Sequence, residues 1–119
     1  DQLAIAPMRH LAAEITREKL FLRMNQELPY SLTVETEKWE ERKDGSVKID
    51  QVIYVSRENH KPMIFGKNGQ TIKKIGAMAR AELEEAMEQR VHLFLFVKVR
   101  EKWLDDPERY REMGLDFPK

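Results

Sequence analysis

Apolar positions recur along this chain with two periods, and the period changes where the element changes. Residues 1–8 read as a frayed lead-in, leaving 9–119 as one domain. From Arg9 to about Glu27 good helix formers dominate, and Leu11, Ala12, Ile15 and Leu22 share one face. Leu20, Phe21 and Met24 lie on a second face, so this helix sits deep in the core or packs on something further. Pro29 stops it, since proline has no N–H to continue the ladder. From Ser31 to Arg42 the period drops to two: Leu32 and Val34 alternate with Thr33, Glu35 and Glu37, which predicts a strand. Lys43-Asp44-Gly45 is a hairpin signal, and Val47 to Arg57, rich in Val, Ile and Tyr, is the return strand.

Glu58 to Phe65 reads as a short helical segment with Pro62 in its first turn. Gly66-Lys67-Asn68-Gly69 interrupts it. Gln70 to about Gln89 then gives the strongest helical pattern, with Ile72, Ile75, Ala79, Leu83 and Met87 in phase and Gly76 on the same stripe. Val91 to Arg100 is a strand whose odd positions are all apolar and whose even positions are mixed. Asp106-Pro107 is a helix start and Gly114 a helix stop, so a short helix is expected over about 107–113. The order is α-β-β-α-α-β with an extra C-terminal helix. That predicts an α+β fold in which helices lie on one face of a three-stranded mixed sheet, the hairpin pair being antiparallel.

Composition narrows the classes. A chain of 119 residues with 41% hydrophobic and 35% charged residues can bury one core, and it is neither collagen-like nor low-complexity. It has no cysteine, which removes disulfides, thiolate metal sites and a cysteine nucleophile and suggests a reducing compartment. No apolar run reaches the roughly 20 residues of a membrane helix, and residues 1–7 lack the pattern of a signal peptide. Net charge is zero, with 21 basic and 21 acidic residues, but the charge is uneven. Five basic residues and no acid lie between Lys61 and Arg80, whereas four glutamates follow from Glu82 to Glu88. A polyanion would be drawn to the first stretch and repelled elsewhere. A dipolar surface that only aids solubility is the alternative reading of the same residues.

The chemistry concentrates in Ile64 to Ile72. Two glycines three apart separate a short apolar helix from a long one, and peptide N–H groups at the start of the second helix suit an anion. Lys67 charges the loop, and Lys73 and Lys74 follow one turn into the helix. A loop without Cβ bulk can press on a sugar-phosphate backbone while apolar neighbours floor the bases, which is the GXXG clamp on about four nucleotides of single strand. A glycine-capped turn between two helices is the plainer reading of the tetrapeptide alone. A P-loop fails: position 68 is Asn where Mg²⁺ needs Ser or Thr, and position 61 is Lys where the first Gly belongs. His10, His60 and His92 show no metal-ligand spacing. His60 opens the helix before the loop as a candidate cap, with phosphate contact as the alternative. Glu84 and Glu85 lie on a solvated helix face, and Trp39 and Trp103 read as packing residues, with base stacking or a partner contact as the alternative for Trp39.

The loop Gly66 to Gly69 and the element order resemble the type II KH domain. Arg17 to Leu20, Glu27 to Glu35, Ile64 to Gly76, Ala79-Arg80, Val91 to Leu93 and Val97 to Trp103 narrow the resemblance to the C-terminal domain of the Era family of bacterial ribosome-assembly GTPases. Phe65 departs from it, standing where the family has an aliphatic residue. The resemblance implies binding of single-stranded RNA, with the 3′ end of small-subunit (16S) rRNA, the 30S subunit and the protein's own GTPase domain as partners. It implies no cofactor and no catalysis for these residues, GTP and Mg belonging to the GTPase half, and a cytoplasmic protein with peripheral contact at the inner membrane. The expected site has Gly66 and Gly69 for backbone approach and Lys67 with Asn68 at the tip. Lys61 and Lys73 add electrostatic support, Ile53, Ile64 and Ile72 form an apolar groove, and Arg57 lies at its edge. The rival class is a KH-fold protein-interaction module with little RNA affinity.

Overall fold

The computed structural model describes residues 2–24 and 31–100. Helix α1 (Gln2–Met24) leads into the antiparallel pair β1 (Thr33–Glu41) and β2 (Val47–Val55). A 3-10 turn (Glu58–His60) and the short helix α2 (Lys61–Phe65) bring the chain to α3 (Gln70–Met87), and β3 (Val91–Val99) closes the sheet. The strand order is β1-β2-β3, with β3 parallel to β2. This is the α+β arrangement and mixed sheet expected from the pattern. The helix start at Asp106-Pro107, the helix expected over 107–113, Trp103 and the stop at Pro29 lie outside the described residues.

The central strand β2 is buried almost throughout, and its odd residues Val47, Ile49, Gln51, Ile53 and Val55 meet α1 and α3. Gln51 splits the core in two. Ala12, Ile15, Val47, Ile49, Ala79, Leu83 and Val91 form one cluster; Leu20, Met24, Leu32, Ile53, Val55, Ile64 and Ile75 form the other. Between them the Thr16 hydroxyl donates to Gln51 Oε1 (2.5 Å), and Gln51 Nε2 donates to Thr36 Oγ1 (3.2 Å). The Thr36 hydroxyl in turn donates to the Arg9 carbonyl (2.9 Å). A buried amide needs such partners, so this chain of bonds fixes how α1 lies across the sheet.

Two details of α1 differ from the expectation. The helix begins at Gln2, not Arg9, and runs through Pro7. The proline forfeits one ladder bond, but the added turns bring Ile5 and Met8 to a surface cavity that they line together with Trp39 and Met87. The buried stripe is Ala12, Ile15, Thr16, Leu20 and Met24, while Leu11 and Leu22 are 43% and 63% exposed. Successive residues are about 100° apart around a helix. Leu11 therefore falls off the face once Thr16 is held centrally by Gln51.

β1 carries a bulge between Thr36 and Lys38. The extra residue, Glu37, turns Trp39 inward beside Val34 and Thr36, and Arg9 Nη2 caps the Thr36 and Glu37 carbonyls (2.6 and 3.1 Å). The hairpin is closed by Arg42 N–H donating to the Ser46 carbonyl (2.8 Å). Ser46 also donates its hydroxyl and N–H to Asp44 Oδ1 (2.6 and 2.9 Å), which holds the Asp44 carboxyl below the usual carboxylate range. Lys19 joins α1 to α3 through Glu82 (2.5 Å), and this bond, aided by Glu18, raises the Lys19 ammonium pKa.

Candidate nucleic-acid interface

The loop between α2 and α3 is built from three residues with positive φ. α2 ends when the Gly66 N–H donates to the Pro62 carbonyl (2.9 Å). Gly66 then takes φ 72°, ψ 179°, Asn68 takes φ 56° and Gly69 takes φ 71°, ψ 15°. The Gly69 N–H returns to the Gly66 carbonyl (3.1 Å), closing a tight one-turn knuckle. No side chain caps the start of α3. Its first N–H groups therefore remain available, with the positive end of the helix dipole behind them.

Lys67 and Asn68 are exposed at the tip of the knuckle. Among the described residues Lys67, Lys73 and Lys74 have no carboxylate within ion-pair distance, so their charge faces solvent. Lys61 differs: its ammonium lies 3.1 Å from Glu58. Arg80 sits 4.0 Å from Glu84 and stays half-exposed.

Behind the knuckle a groove of about 430 Å³ runs between α3 and the edge strand β3. Ile72, Gly76, Leu93, Leu95 and Phe65 make its apolar surface; Lys73 stands at the loop end, Arg80 and Phe94 at the other. Gly76 keeps the wall low, since a Cβ there would reach Leu95 Cδ1 at 3.5 Å. Lys73 and Arg80 bring two cations to its α3 wall.

The structure brings Gly66, Lys67, Asn68, Gly69, Ile72 and Lys73 together at one end of this groove. It corrects the expected floor. Ile53 and Ile64 are both 0% exposed, because odd residues of β2 and the inner side of α2 face the core. They support the groove from beneath and cannot touch a base. Arg57 is exposed at the start of the 3-10 turn and does not line the groove. Leu93, Leu95, Gly76 and Arg80 were missed as lining residues. The alternating apolar residues of β3 were visible, but not that its edge would lie beside α3.

His60 makes no side-chain cap hydrogen bond, and its Nδ1 is buried without a partner. Trp39 packs half-buried against the first core cluster, as a packing residue should. His10 pairs with Glu14 on the exposed side of α1 (3.5 Å). Among the described residues there is no cluster of three potential metal ligands, and no helix is long and apolar enough to cross a membrane.

Comparison with known families gives the geometry its relatives. The KH domain model (KH_2) matches residues 27–104. The chain belongs to the KH domain family. Its KH fold is shared with solved Era structures. One is Aquifex aeolicus Era bound to GDP and AlF4⁻, and another is Era in complex with MgGDPNP and nucleotides 1506–1542 of 16S ribosomal RNA. Each superposes with a TM-score of 0.77 at 41% identity, covering 92% of this chain and 37% of the other. In sequence the chain is 69% identical to GTPase Era of Brucella suis over 99% of its length, and 70% identical to that of Rhizobium meliloti over all of it. It spans 38% of the length of either relative.

Proposed function

We infer that this KH chain binds single-stranded RNA, with the backbone against Gly66 to Gly69 and the bases in the groove between α3 and β3. One observation carries this reading: a side-chain-free knuckle at a helix start, tipped by the exposed Lys67, opens directly onto an apolar groove. Phosphate is met by unsatisfied N–H groups and unpaired ammonium groups, and bases by Ile72, Leu93 and Leu95.

The RNA of this reading is the 3′ end of 16S rRNA. The support is the Era complex with nucleotides 1506–1542, a protein 41% identical over nearly the whole of this chain. The chain then acts as the RNA-gripping part of an Era-like GTPase in assembly of the 30S subunit in the cytoplasm. Nucleotide hydrolysis belongs to the portion of the relatives that these residues do not span.

The test is binding of an RNA of 16S nucleotides 1506–1542 to the wild type and to the double variant Lys67→Asp, Asn68→Asp. Two new carboxylates at the tip repel phosphate, so affinity should fall at least about tenfold while the melting curve is kept. Unchanged affinity in that variant would remove the knuckle from the interface.

A further inference from the structure

Trp39 packs against the first core cluster near the end of β1, at the pole of the molecule away from the knuckle. Helix α3 joins the two poles: its 18 residues run about 27 Å from the knuckle to Met87. At the far pole Ile5 and Met8 of α1, Ala86 and Met87 of α3 and the Trp39 side chain line a surface cavity of about 270 Å³. That is just below the size of sites for drug-like molecules and fits one large side chain.

Three unmet demands meet in this cavity. Trp39 Nε1 is buried and, among the described residues, has no acceptor. A buried donor is costly without one. Glu41, the one charged lining residue, is exposed and has no cation within ion-pair distance among the described residues. Gln89, the other polar lining residue, already donates to the Gly45 carbonyl (3.2 Å). Glu85 and Glu88 stand exposed at the end of α3, where the helix dipole is negative. The apolar walls call for an apolar side chain, the indole for a carbonyl oxygen, and the acidic surround for a cation. A peptide presents all three in two successive residues, a large apolar one and a basic one. A polyanion is turned away from the same place.

We propose that this cavity docks a basic segment of a partner protein. A side chain the size of leucine enters between Ile5, Met8 and Met87. The peptide carbonyl accepts from Trp39 Nε1 as that side chain seats, and the neighbouring lysine or arginine pairs with Glu41. The cavity lies a helix length from the knuckle, so the segment and an RNA bind together, and the proposal does not rest on the RNA-binding reading.

The probe is the capped peptide acetyl-lysyl-leucyl-lysinamide, titrated into the full chain carrying Trp103→Phe. The chain has two tryptophans, so the single indole N–H signal left in the NMR spectrum is that of Trp39. Saturable downfield movement of that signal is expected. The alanyl analogue of the probe should bind at least about tenfold more weakly, because it forfeits the buried leucine. A glutamyl-flanked analogue should bind about threefold more weakly, and Glu41→Lys should reverse the order of the two charged probes. Ala86→Phe, at an exposed position, fills the cavity and should abolish the movement while the melting temperature and the affinity for the 16S segment stay unchanged. A still indole signal, an equal response to the alanyl probe, indifference to the charge swap, or binding retained in Ala86→Phe overturns the proposal. Displacement of the probe by the 16S segment overturns it too, because both ligands would then share one surface.

Discussion

Gly66 and Gly69 hold matching places in the tetrapeptide but answer to different constraints. Gly66 combines φ 72° with ψ 179°, a region essentially restricted to glycine, and a Cβ there would meet Thr71 Cβ at 2.6 Å. Gly69 is left-handed helical, and a Cβ there would meet nothing within 4 Å. The first glycine is therefore demanded by sterics and backbone together, the second by backbone alone. Gly66→Ala should cost about 2–3 kcal/mol or more in urea unfolding, and Gly69→Ala about 1–2 kcal/mol. Gly69→Asn should cost less than Gly69→Ala, because asparagine accepts the conformation that Asn68 already adopts next to it. Equal costs at the two glycines would contradict the contact with Thr71.

At the scale of elements, the bulge in β1 decides which side of the sheet Trp39 joins. Side chains alternate along a strand, so one extra residue exchanges the two faces for everything beyond it. Glu37 supplies that residue, and Arg9 from α1 takes up the carbonyls that the irregularity leaves free. Deleting Glu37 removes the bulge and returns Thr36, Lys38 and Trp39 to regular alternation, so Trp39 should stay against the core. Inserting one alanine between Lys38 and Trp39 should instead send Trp39 to solvent, at an expected loss of about 3–5 kcal/mol, comparable with truncating a buried tryptophan. Arg9→Ala keeps the register and should cost only about 1–2 kcal/mol, the value of its hydrogen bonds. Thermal unfolding of these variants separates the outcomes; an insertion that melts like the wild type would show that the hairpin alone sets the register.

For the whole molecule, a net charge of zero conceals a working division of charge. Among the described residues the lysines at the knuckle are unpaired, whereas Lys61, only six residues before Lys67 in sequence, is held by Glu58. Phosphate contact by an unpaired lysine releases counterions; contact by Lys61 must first displace its glutamate. In a plot of log affinity for the 16S segment against log salt, Lys67→Ala should flatten the slope by about 0.7, and Lys61→Ala by clearly less. Equal changes would mean that the Lys61–Glu58 pair does not persist in solution.

The element order, the mixed sheet and the knuckle were legible because each is local: periodicity, turn residues and a glycine pair are properties of neighbouring residues. The second half of the interface was not legible in this way. Ile53 and Ile64 are apolar and close to the loop in sequence, yet they are buried beneath it, while Leu93 and Leu95 line the groove from more than twenty residues away. Apolarity marks a residue for removal from water but does not say whether a core or an open groove receives it. That choice follows from the parallel docking of β3 on β2, which makes β3 the edge strand and lays it beside α3. Likewise, no local pattern distinguishes Leu11 from Ala12 on α1; the hydrogen bond between Thr16 and Gln51, 35 positions apart, sets the rotation of the helix. Short-range chemistry wrote the parts and the glycine knuckle, and long-range packing settled which apolar side chains line the open groove and which fill the core.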